Sequence, residues 1–410
     1  MMCETSQGGL VPGCDIIPGL PDDIALDCLA RVPFRYQSTV KSVCHDWRHL
    51  FCDSLIVTER RRLGLSENLF FLVQPQPTTP ESVILSDNCD VEIVEDTDNL
   101  PRESKPAVAV QNPQFGLSVY NATTDQWSRL ALIDDNGASI QIPMFCQVVA
   151  VAGKLILLGG WDPATLEPVP YVYIIDLLSG QWRKGADMIT ARSFFACAAA
   201  EDSTVLVAGG HDRLKNALKS AELYDFGKNE WRAIPEMHEE RDECHGFFSG
   251  DNSGQNTGKV WVVSGYGTDS QGRFRSDGER FDIEKGIWEK FEGVWPFRAT
   301  SPRIAAADGC RKGWWWVDGE KGEVNGFDWG EWKWKCVGKF SGPKGGPTWV
   351  TVAGGGDRVV ALDGGGEDGD AVVLVMEAEG KGGWSGGGDQ RNVGNAAFVG
   401  APFSGVGVRI

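Results

Sequence analysis

Two different patterns of hydrophobic and polar residues divide the chain. In residues 15–65 the apolar side chains recur three and four positions apart, with Pro33 interrupting the series, which predicts short helices. Beyond this segment, short apolar runs alternate with polar turns that are rich in glycine, which predicts strands and hairpins. We therefore expect a small α-helical domain over residues 15–65 and a mainly β domain over residues 66–410.

The first predicted helix lies in the segment PDDIALDCLARVP (Pro21–Pro33) and is apolar on more than one side. After the two acidic residues at its start, only Asp27 and Arg31 interrupt the apolar positions. A surface helix with one buried stripe carries more polar residues than this. Two or three helices of this length form only a small core. Part of the apolar surface is therefore expected to pack against something outside this core.

A segment that ends in tryptophan recurs through the β part of the chain. Each copy has an apolar strand, usually an aspartate, a short polar turn and then the tryptophan, as in GLSVYNATTDQW, which ends at Trp127. A turn this short between two strands predicts a hairpin. The further copies end at Trp182, Trp231, Trp288 and, more loosely, Trp332.

A second signature, an apolar strand followed by glycine, precedes most of these hairpins. It ends at Gly159–Gly160, at Gly209–Gly210 and at Gly265. Successive copies lie about 45 to 57 residues apart, which is the spacing of kelch-type propeller blades with four strands each. Such sheets are unstable alone and cover each other's apolar faces when packed radially. The sequence therefore predicts a kelch-type β-propeller of about six blades, although five or seven also fit.

The two ends of the β domain are predicted to meet in one blade. The Trp127 hairpin lacks its own glycine pair, and the apolar segment Asn68–Gln74 supplies a candidate strand for it. The tail AAFVGAPFSGVGVRI would then return as the innermost strand, which closes the ring and removes exposed edges. Residues 76–112 are acidic and contain proline, and they are predicted to form a disordered insertion.

The composition narrows the classes of partner. The formal net charge is −18, from 57 acidic and 39 basic side chains. Because such a field repels phosphate backbones, we expect neither nucleic acid nor an anionic membrane as a partner. The basic run Glu59–Arg62 is interpreted as a solvated helix face. The scattered cysteines and the absence of a signal-peptide pattern or a long apolar run predict a reduced protein of the cytoplasm and/or nucleus.

No motif in the sequence predicts catalysis. The five histidines form no H-E-x-x-H motif, and the Cys/His spacings do not match a zinc site. The glycine-rich segment AGGGD (Ala353–Asp357) is not followed by the Gly-Lys-Ser/Thr of a phosphate loop. Cys244 and His245 are adjacent on a predicted strand, so their side chains point to opposite faces. We therefore expect no enzyme activity, no metal and no cofactor.

Residues 15–56 resemble the F-box. The motif consists of a Leu-Pro pair, an acidic and aliphatic helix, a Val-Pro pair and a Val-Cys-x-x-Trp element. Together with the repeats, it makes the chain similar to plant kelch-repeat F-box proteins over nearly its whole length. The residues that this resemblance assigns to adaptor binding are Leu20, Pro21, Ile24, Cys28, Leu29, Val32, Pro33, Val43, Cys44 and Trp47.

The resemblance implies a role in protein degradation. In that family the F-box helices dock on the Skp-type adaptor of a cullin ubiquitin ligase, and the propeller holds the protein to be ubiquitinated. The members that this chain most resembles act on phenylalanine ammonia-lyase, an enzyme of phenylpropanoid synthesis. Three alternatives remain open: a helical hairpin that merely caps the propeller, a kelch scaffold that works without a ligase, and, more remotely, a kelch-fold enzyme.

Loops after the glycine pairs are predicted to touch the target. Loops at one rim of a propeller are free of the hydrogen bonds that strands exchange, and binding residues concentrate in such positions. Four of the candidates are cations in an acidic protein, which favours an acidic patch on the target, although solubilising charge explains them equally well. The candidate residues are Trp161, His211, Arg213, Lys215, Arg273 and Arg275.

Overall fold

The described parts of the chain contain helices at the N-terminal end and strands in the remainder. The structure is a computed structural model. The prediction of a disordered insertion at 76–112 falls on residues that are not described. Those that are described are 16–75, 114–130, 132, 140–200, 203–249, 258–307, 314–318, 321–339, 349–352, 358–363, 372–379, 383–384, 389–392 and 403–410.

Four short helices form the N-terminal domain, as the helical spacing predicts. A 3₁₀ turn at Phe34–Tyr36 follows the break at Pro33. The helices pack around a small apolar core. None of the described helices is long and apolar enough to cross a membrane. The helices are α1 (Asp22–Ala30), α2 (Gln37–Lys41), α3 (His45–Cys52) and α4 (Ser54–Arg62).

The described part of the β domain contains twenty-five strands. They are β1 (Asn68–Pro75), β2 (Phe115–Asn121), β3 (Gln126–Leu130), β4 (Gln147–Val151), β5 (Lys154–Leu158), β6 (Val172–Asp176), β7 (Trp182–Lys184), β8 (Ala196–Ala200), β9 (Thr204–Ala208), β10 (Ala221–Asp225), β11 (Glu230–Ile234), β12 (His245–Ser249), β13 (Lys259–Val263), β14 (Gly278–Asp282), β15 (Ile287–Phe291), β16 (Ala305–Ala307), β17 (Trp314–Asp318), β18 (Glu323–Asp328), β19 (Lys333–Lys339), β20 (Trp349–Val352), β21 (Arg358–Asp363), β22 (Val372–Glu379), β23 (Gly383–Trp384), β24 (Asp389–Asn392) and β25 (Ser404–Arg409).

These strands form antiparallel sheets arranged in a ring. Five sheets have four strands each, in the orders β25-β1-β2-β3, β4 to β7, β8 to β11, β12 to β15 and β16 to β19. The remaining sheet has five strands, because β22 pairs with both β23 and β24. The innermost strands touch in the cyclic order β25, β4, β8, β12, β16, β20 and back to β25. A closed ring of this kind leaves each sheet covered on both faces by its neighbours.

The number of regular blades is lower than the sequence predicts. About six were expected, whereas five sheets have the four-strand composition of a blade. The remaining sheet lies within residues 349–392 and departs from that composition by its additional strand. The chain is richest in glycine in and around this segment. Glycine weakens strand signals, so the repeat could not be read clearly there.

The two ends of the β domain meet in one sheet, which confirms the predicted closure. β1 lies between β2 and β25, with Leu69 opposite Asn121 on one side and opposite Val408 on the other. The segment Asn68–Gln74 therefore supplies the second strand of the Trp127 hairpin sheet, and the C-terminal tail supplies its innermost strand. The last strand of the chain thus completes the first sheet.

The glycine pairs occur where the chain leaves no room for a side chain. Gly160 has a φ of +93°, and a Cβ atom there would lie 2.4 Å from the carbonyl oxygen of Met144. The corresponding Gly210 has a φ of +79°, and its Cβ would lie 2.3 Å from the carbonyl oxygen of Ser193. Both contacts are far shorter than atoms tolerate, so glycine is required at both positions. The double-glycine signature is therefore a packing requirement of the two blades that carry it.

In three blades the recurring tryptophan is hydrogen-bonded to the blade before it. The indole Nε1 of Trp231 donates to the carbonyl oxygen of Ala186, which follows the outermost strand of the preceding sheet, at 2.8 Å. Trp288 donates in the same way to Pro235 at 2.7 Å. In the next sheet the equivalent residue is Trp334, which donates to Val294 at 3.0 Å and lies opposite Phe327. The sequence prediction of Trp332 for this position is wrong.

Trp332 was predicted to be equivalent to Trp231 and Trp288 because its spacing from the preceding strand resembles that of the other hairpins. It lies instead in the turn, with a φ of +57°, where the corresponding residue of an earlier blade, Asn229, has the same φ. The turn therefore ends two residues later than the hairpin spacing predicts. A chain with several neighbouring tryptophans cannot be aligned on tryptophan alone.

Replacement of Trp288 tests its role between blades. We expect Trp288→Ala to lower the free energy of unfolding by roughly 3–5 kcal/mol, because it leaves a cavity between two sheets. Trp288→Phe retains an aromatic ring and loses the hydrogen bond to Pro235, so it should cost less. Ile287→Ala, at an exposed neighbouring position of β15, is the control and should change stability by about 0.5 kcal/mol or less. Urea unfolding followed by circular dichroism measures all three, and equal losses at Trp288 and Ile287 would contradict the assignment.

A buried carboxylate joins the helical domain to the propeller. The side chain of Glu67 accepts hydrogen bonds from the backbone N–H of Phe34 and from Nδ2 of Asn121, both at 2.7 Å. Its backbone exchanges two hydrogen bonds with Ile410, the last residue of the chain, at 2.7 and 3.0 Å. One residue therefore contacts the helical domain, the first blade and the C-terminus.

Arg60 neutralises this carboxylate. Its Nη2 lies 2.6 Å from Oε2 of Glu67, and the two side chains are only 2% and 5% exposed. The guanidinium also donates to the carbonyl oxygens of Ala30 and Val32, at 2.8 and 2.6 Å. The interpretation of the basic run as a solvated face is therefore wrong for Arg60. The helical period turns this one arginine inward while Arg62 stays exposed.

The Arg60–Glu67 pair predicts that replacement of Arg60 destabilises the protein far more than replacement of Arg62, which lies on the same helix. Arg60→Met should lower the free energy of unfolding by about 3–5 kcal/mol, because it leaves a buried carboxylate without its counter-ion. Arg62→Met removes an exposed partner of Glu59 and should cost about 0.5 kcal/mol or less. Adding Glu67→Gln to Arg60→Met removes the unpaired charge and should restore part of the loss. Chemical denaturation of the unchanged protein and of the three variants measures these losses. An Arg60 variant as stable as the Arg62 variant would contradict the assignment.

Candidate partner-binding surfaces

Helix α1 has an inner and an outer apolar face. Ala25, Leu29 and Ala30 are buried in the core of the helical domain. Ile24 is 48% exposed and Cys28 is also exposed, one turn further along the helix. This division explains why the sequence of the helix is apolar on more than one side. The outer face remains uncovered in the single chain.

Further apolar groups are exposed in the same domain. Leu20 precedes α1 and is 37% exposed, and Val43, between α2 and α3, is 61% exposed. Cys44 is exposed too, and its Sγ accepts a hydrogen bond from the backbone N–H of Trp47 at 3.4 Å, where it caps α3. A partner that covered these exposed apolar side chains would remove their surface from water. We call this set the adaptor face: Leu20, Pro21, Ile24, Cys28, Val43 and Cys44.

The other four predicted adaptor-binding residues point inward to different degrees. Leu29 is buried, and Val32 and Pro33 are half-buried. Trp47 packs against the core of the helical domain, and its Nε1 donates to the carbonyl oxygen of Ile16 at 2.7 Å. Their role visible in the structure is to hold the helices together. Adaptor contact by all ten residues stays a prediction.

The helical domain also packs against the propeller, as the capping alternative expects. Phe34 and Val57 are partly buried against the apolar cluster of the first blades. The Lys41 ammonium donates to the carbonyl oxygen of Leu178 in the second sheet. The helices therefore cover part of the ring and still leave the adaptor face exposed. Tyr36 and Leu55 are also exposed, and no motif in the sequence signals them.

A second surface lies where the glycine pairs end. The residue after each glycine signature forms an isolated bridge with the segment that leads into the innermost strand of its blade. Trp161 pairs with Met144 in this way, and His211 pairs with Ser193. The strands that follow these segments, β4 and β8, begin at the same end of the ring.

Aromatic rings converge at this end. Trp161 lies 5.3 Å from Phe145 and 5.8 Å from Phe194, measured between ring centroids. Phe403, which precedes β25, lies 5.0 Å from Phe145 and 5.1 Å from Phe194. Phe145 and Phe194 have φ values of +58° and +57°, a left-handed conformation that ordinary residues adopt only when the surrounding structure holds them. The aromatic side chains are thus held at the end of the propeller where β4 and β8 begin, which we call the ring mouth.

Polar groups surround these aromatic rings. His211 Nδ1 lies 3.0 Å from both carboxylate oxygens of Asp242. The Lys215 ammonium lies 3.4 Å from the ring centroid of Trp161, and the Arg303 guanidinium lies 4.1 Å from that of Phe403. Burial lowers the pKa of Arg303 to about 10. We call the following residues the ring-mouth cluster: Phe145, Trp161, Phe194, His211, Lys215, Arg303 and Phe403.

The structure therefore brings together three of the six predicted target-binding residues, Trp161, His211 and Lys215. The other three are placed differently. Arg213 pairs with Glu167 at 3.0 Å. Arg275 lies 2.8 Å from Asp277, and Arg273 is exposed on the loop before it.

Phe145, Phe194, Phe403 and Arg303 were not predicted from the sequence. Three of them share a position in the repeat that could have identified them. Phe145, Phe194 and Arg303 each stand two residues before the innermost strand of a blade, as does Glu243. Reading the residue at this repeated position would have found them, although the residue type changes from blade to blade.

The described residues offer no activated thiol at the pair noted in the sequence. Cys244 is buried, and burial raises the pKa of its thiol to about 11. Burial, with a contribution from the charge of Arg303, lowers the pKa of His245 to about 3. A protonated thiol beside a neutral imidazole is a poor nucleophile. Within the described ranges, no group of three or more His, Cys, Asp or Glu side chains could hold a metal ion.

Comparison with known proteins identifies similar chains. A family model for the F-box domain matches residues 17–58, and one for the Kelch motif matches residues 144–189 and 192–238. The F-box/kelch-repeat protein SKIP20 of Arabidopsis thaliana is 40% identical over an alignment of 414 residues, which covers 94% of this chain and 95% of SKIP20. The F-box/kelch-repeat protein At2g44130 of the same plant is 46% identical over 314 residues, covering 76% of this chain and 74% of that protein.

Proposed function

This chain belongs to the F-box/kelch-repeat proteins, and we propose that it is the substrate-recognition subunit of a Skp–cullin–F-box ubiquitin ligase. The observation that carries the proposal is the adaptor face. Ile24 and Val43 are exposed on an F-box domain that already has a core of its own. An apolar surface of this kind is stabilised when a partner covers it.

The proposed mechanism is one of positioning. The F-box domain binds the Skp-type adaptor and, through it, the cullin, while the propeller holds the target. Holding both on one chain raises the effective concentration of target lysines near the ubiquitin-charged enzyme. The Arg60–Glu67 pair supports this role, since it fixes the F-box domain against the ring. The proposal assigns no catalytic step to the chain, and it places the protein in the cytoplasm and/or nucleus.

Replacement of Leu20 and Pro21 in the adaptor face should strongly weaken adaptor binding. In Leu20→Ala with Pro21→Ala, the loss of one leucine-sized contact weakens binding by roughly 1.5–3 kcal/mol, and a disturbed start of α1 adds to the loss. Leu214→Ala is the control, because Leu214 is highly exposed but lies on a propeller loop. Calorimetric titration with purified Skp-type adaptor measures the effect, and circular dichroism verifies the fold. Undiminished binding by the double variant would refute the F-box assignment.

We further propose phenylalanine ammonia-lyase, or a related enzyme of phenylpropanoid and flavonoid synthesis, as the target. The support is the resemblance of the chain to the kelch-repeat F-box proteins that act on those enzymes. Expression of the Leu20→Ala/Pro21→Ala chain in plant cells should raise the abundance of phenylalanine ammonia-lyase, because the variant binds the target without the ligase. Quantitative immunoblotting after inhibition of translation measures the half-life. An unchanged half-life, with no lyase co-purified, would exclude this target and leave the adaptor role standing.

A further inference from the structure

More hydrogen-bond donors surround the His211 side chain than it can accept from. Its Nδ1 lies 3.0 Å from both oxygens of the Asp242 carboxylate. An ionised carboxylate only accepts, so Nδ1 carries the hydrogen and Nε2 keeps a single lone pair. Two donors, Nε1 of Trp161 and Nζ of Lys215, each lie 3.3 Å from that Nε2. One lone pair cannot satisfy both, so hydrogen-bond donors are in excess at this point.

The position of Lys215 is imposed by its loop. Its φ is +63°, a conformation in which a lysine persists only when the surrounding structure determines it. The carboxylate of Asp212 holds this loop, because Oδ1 accepts from the backbone N–H groups of Leu214 and Asn216 at 2.8 and 2.9 Å. The Lys215 ammonium is thereby placed over the indole of Trp161. A charge that is held in place costs less ordering when a ligand binds.

Arg303 supplies a second cation without a close counter-ion. The buried arginines Arg60, Arg192 and Arg241 each have a carboxylate oxygen within 3.0 Å. Among the described residues, no carboxylate lies within ion-pair distance of Arg303. When the amide of Gln147 is oriented with its oxygen toward Arg303, that oxygen accepts from Nη2 and Nη1 at 2.8 and 3.0 Å. This partner is neutral, so the charge of the guanidinium is offset only at longer range, by the carboxylates of Glu243 and Asp242.

Phe194 contacts both His211 and Arg303. Its ring stacks on His211 at 5.4 Å on one side, and the Arg303 guanidinium lies 5.5 Å from the same ring. Lys215 lies over the ring of Trp161 and Arg303 lies over that of Phe403, so two cations stand beside the aromatic rings of the cluster. The acids nearby are engaged: Asp242 binds His211, and Glu243 accepts from the Tyr266 hydroxyl at 2.9 Å.

We propose, on the basis of the substrate-recognition role, that the ring-mouth cluster binds an acidic group of the target, a carboxylate or a phosphate. Lys215 and the indole N–H of Trp161 donate to it on one side, and Arg303 attracts it from the other. An apolar side chain next to the acidic group packs on Phe145 and Phe403. The site differs from the prediction based on four loop cations, since it uses Lys215 and sets Arg213 aside.

Labelled peptides and single variants of the full-length chain test this site. The probes are a fluorescein-labelled oligoglutamate peptide that contains phenylalanine, its oligoglutamine counterpart and its phosphoserine counterpart. Fluorescence anisotropy should show saturable binding of the acidic peptides and none of the oligoglutamine peptide. Lys215→Gln should raise the Kd about fivefold or more, as expected for the loss of a charge-assisted hydrogen bond. Trp161→Phe retains a smaller aromatic ring and removes the N–H donor but no charge, so it should raise the Kd less.

Arg213→Gln is the matched control. It removes the same charge from the same loop, but Arg213 is already paired with Glu167. Its Kd should change by about twofold or less. Equal weakening by the Lys215 and Arg213 variants, or binding of the oligoglutamine peptide, would overturn the proposal. Tighter binding of the phosphoserine peptide would support the site and identify phosphate as the preferred group.

The adaptor titration separates this proposal from the proposed function. If the chain binds acidic peptides through Lys215 but does not bind the Skp-type adaptor, the ring-mouth site stands and the ligase role fails. If the adaptor binds and no acidic peptide does, the ligase role stands and the ring-mouth site is wrong. Circular dichroism of each variant verifies that its fold is intact.

Discussion

The buried ion pair between Arg60 and Glu67 is the interaction on which the arrangement of this protein depends. A carboxylate that is 5% exposed persists in ionised form only with a counter-ion and with its oxygens hydrogen-bonded. Glu67 meets this requirement with groups from α4, from the turn after Pro33 and from the first blade. Its backbone also pairs with Ile410. The helical domain and the first blade therefore cannot shift independently without breaking a hydrogen bond or ion pair of the buried carboxylate.

This constraint bears directly on how a substrate-recognition subunit works. Positioning a target near a second enzyme is effective only when the connection limits the orientations that the target can adopt. In this chain the connection between α4 and β1 is short and contains the buried pair, so the adaptor face and the ring mouth keep a fixed relation. The backbone of Glu67 also pairs with Ile410, so the residue that holds the helices lies directly beside the closing strand.

The features that could be predicted from the sequence are those with a local steric cause. Gly160 and Gly210 are dictated by backbone contacts within their own blade, and Trp231 and Trp288 by hydrogen bonds to the preceding blade. Such requirements recur in several copies and leave a readable period. The inward turn of Arg60 leaves none, since its partner is buried only after two domains meet. Trp332 was misassigned because three tryptophans, Trp329, Trp332 and Trp334, lie at one turn.

The ring-mouth cluster could not be predicted for a related reason. The residue two positions before the innermost strand differs between blades. It is phenylalanine before β4 and β8, Glu243 before β12 and Arg303 before β16. The blade requires a particular backbone there, with φ values of +58°, +57° and +50° in the first three, but it places no demand on the side chain. A propeller thus separates two kinds of position. Glycine and tryptophan positions maintain the ring, while the residue type at the mouth varies from blade to blade because the backbone conformation there does not fix it.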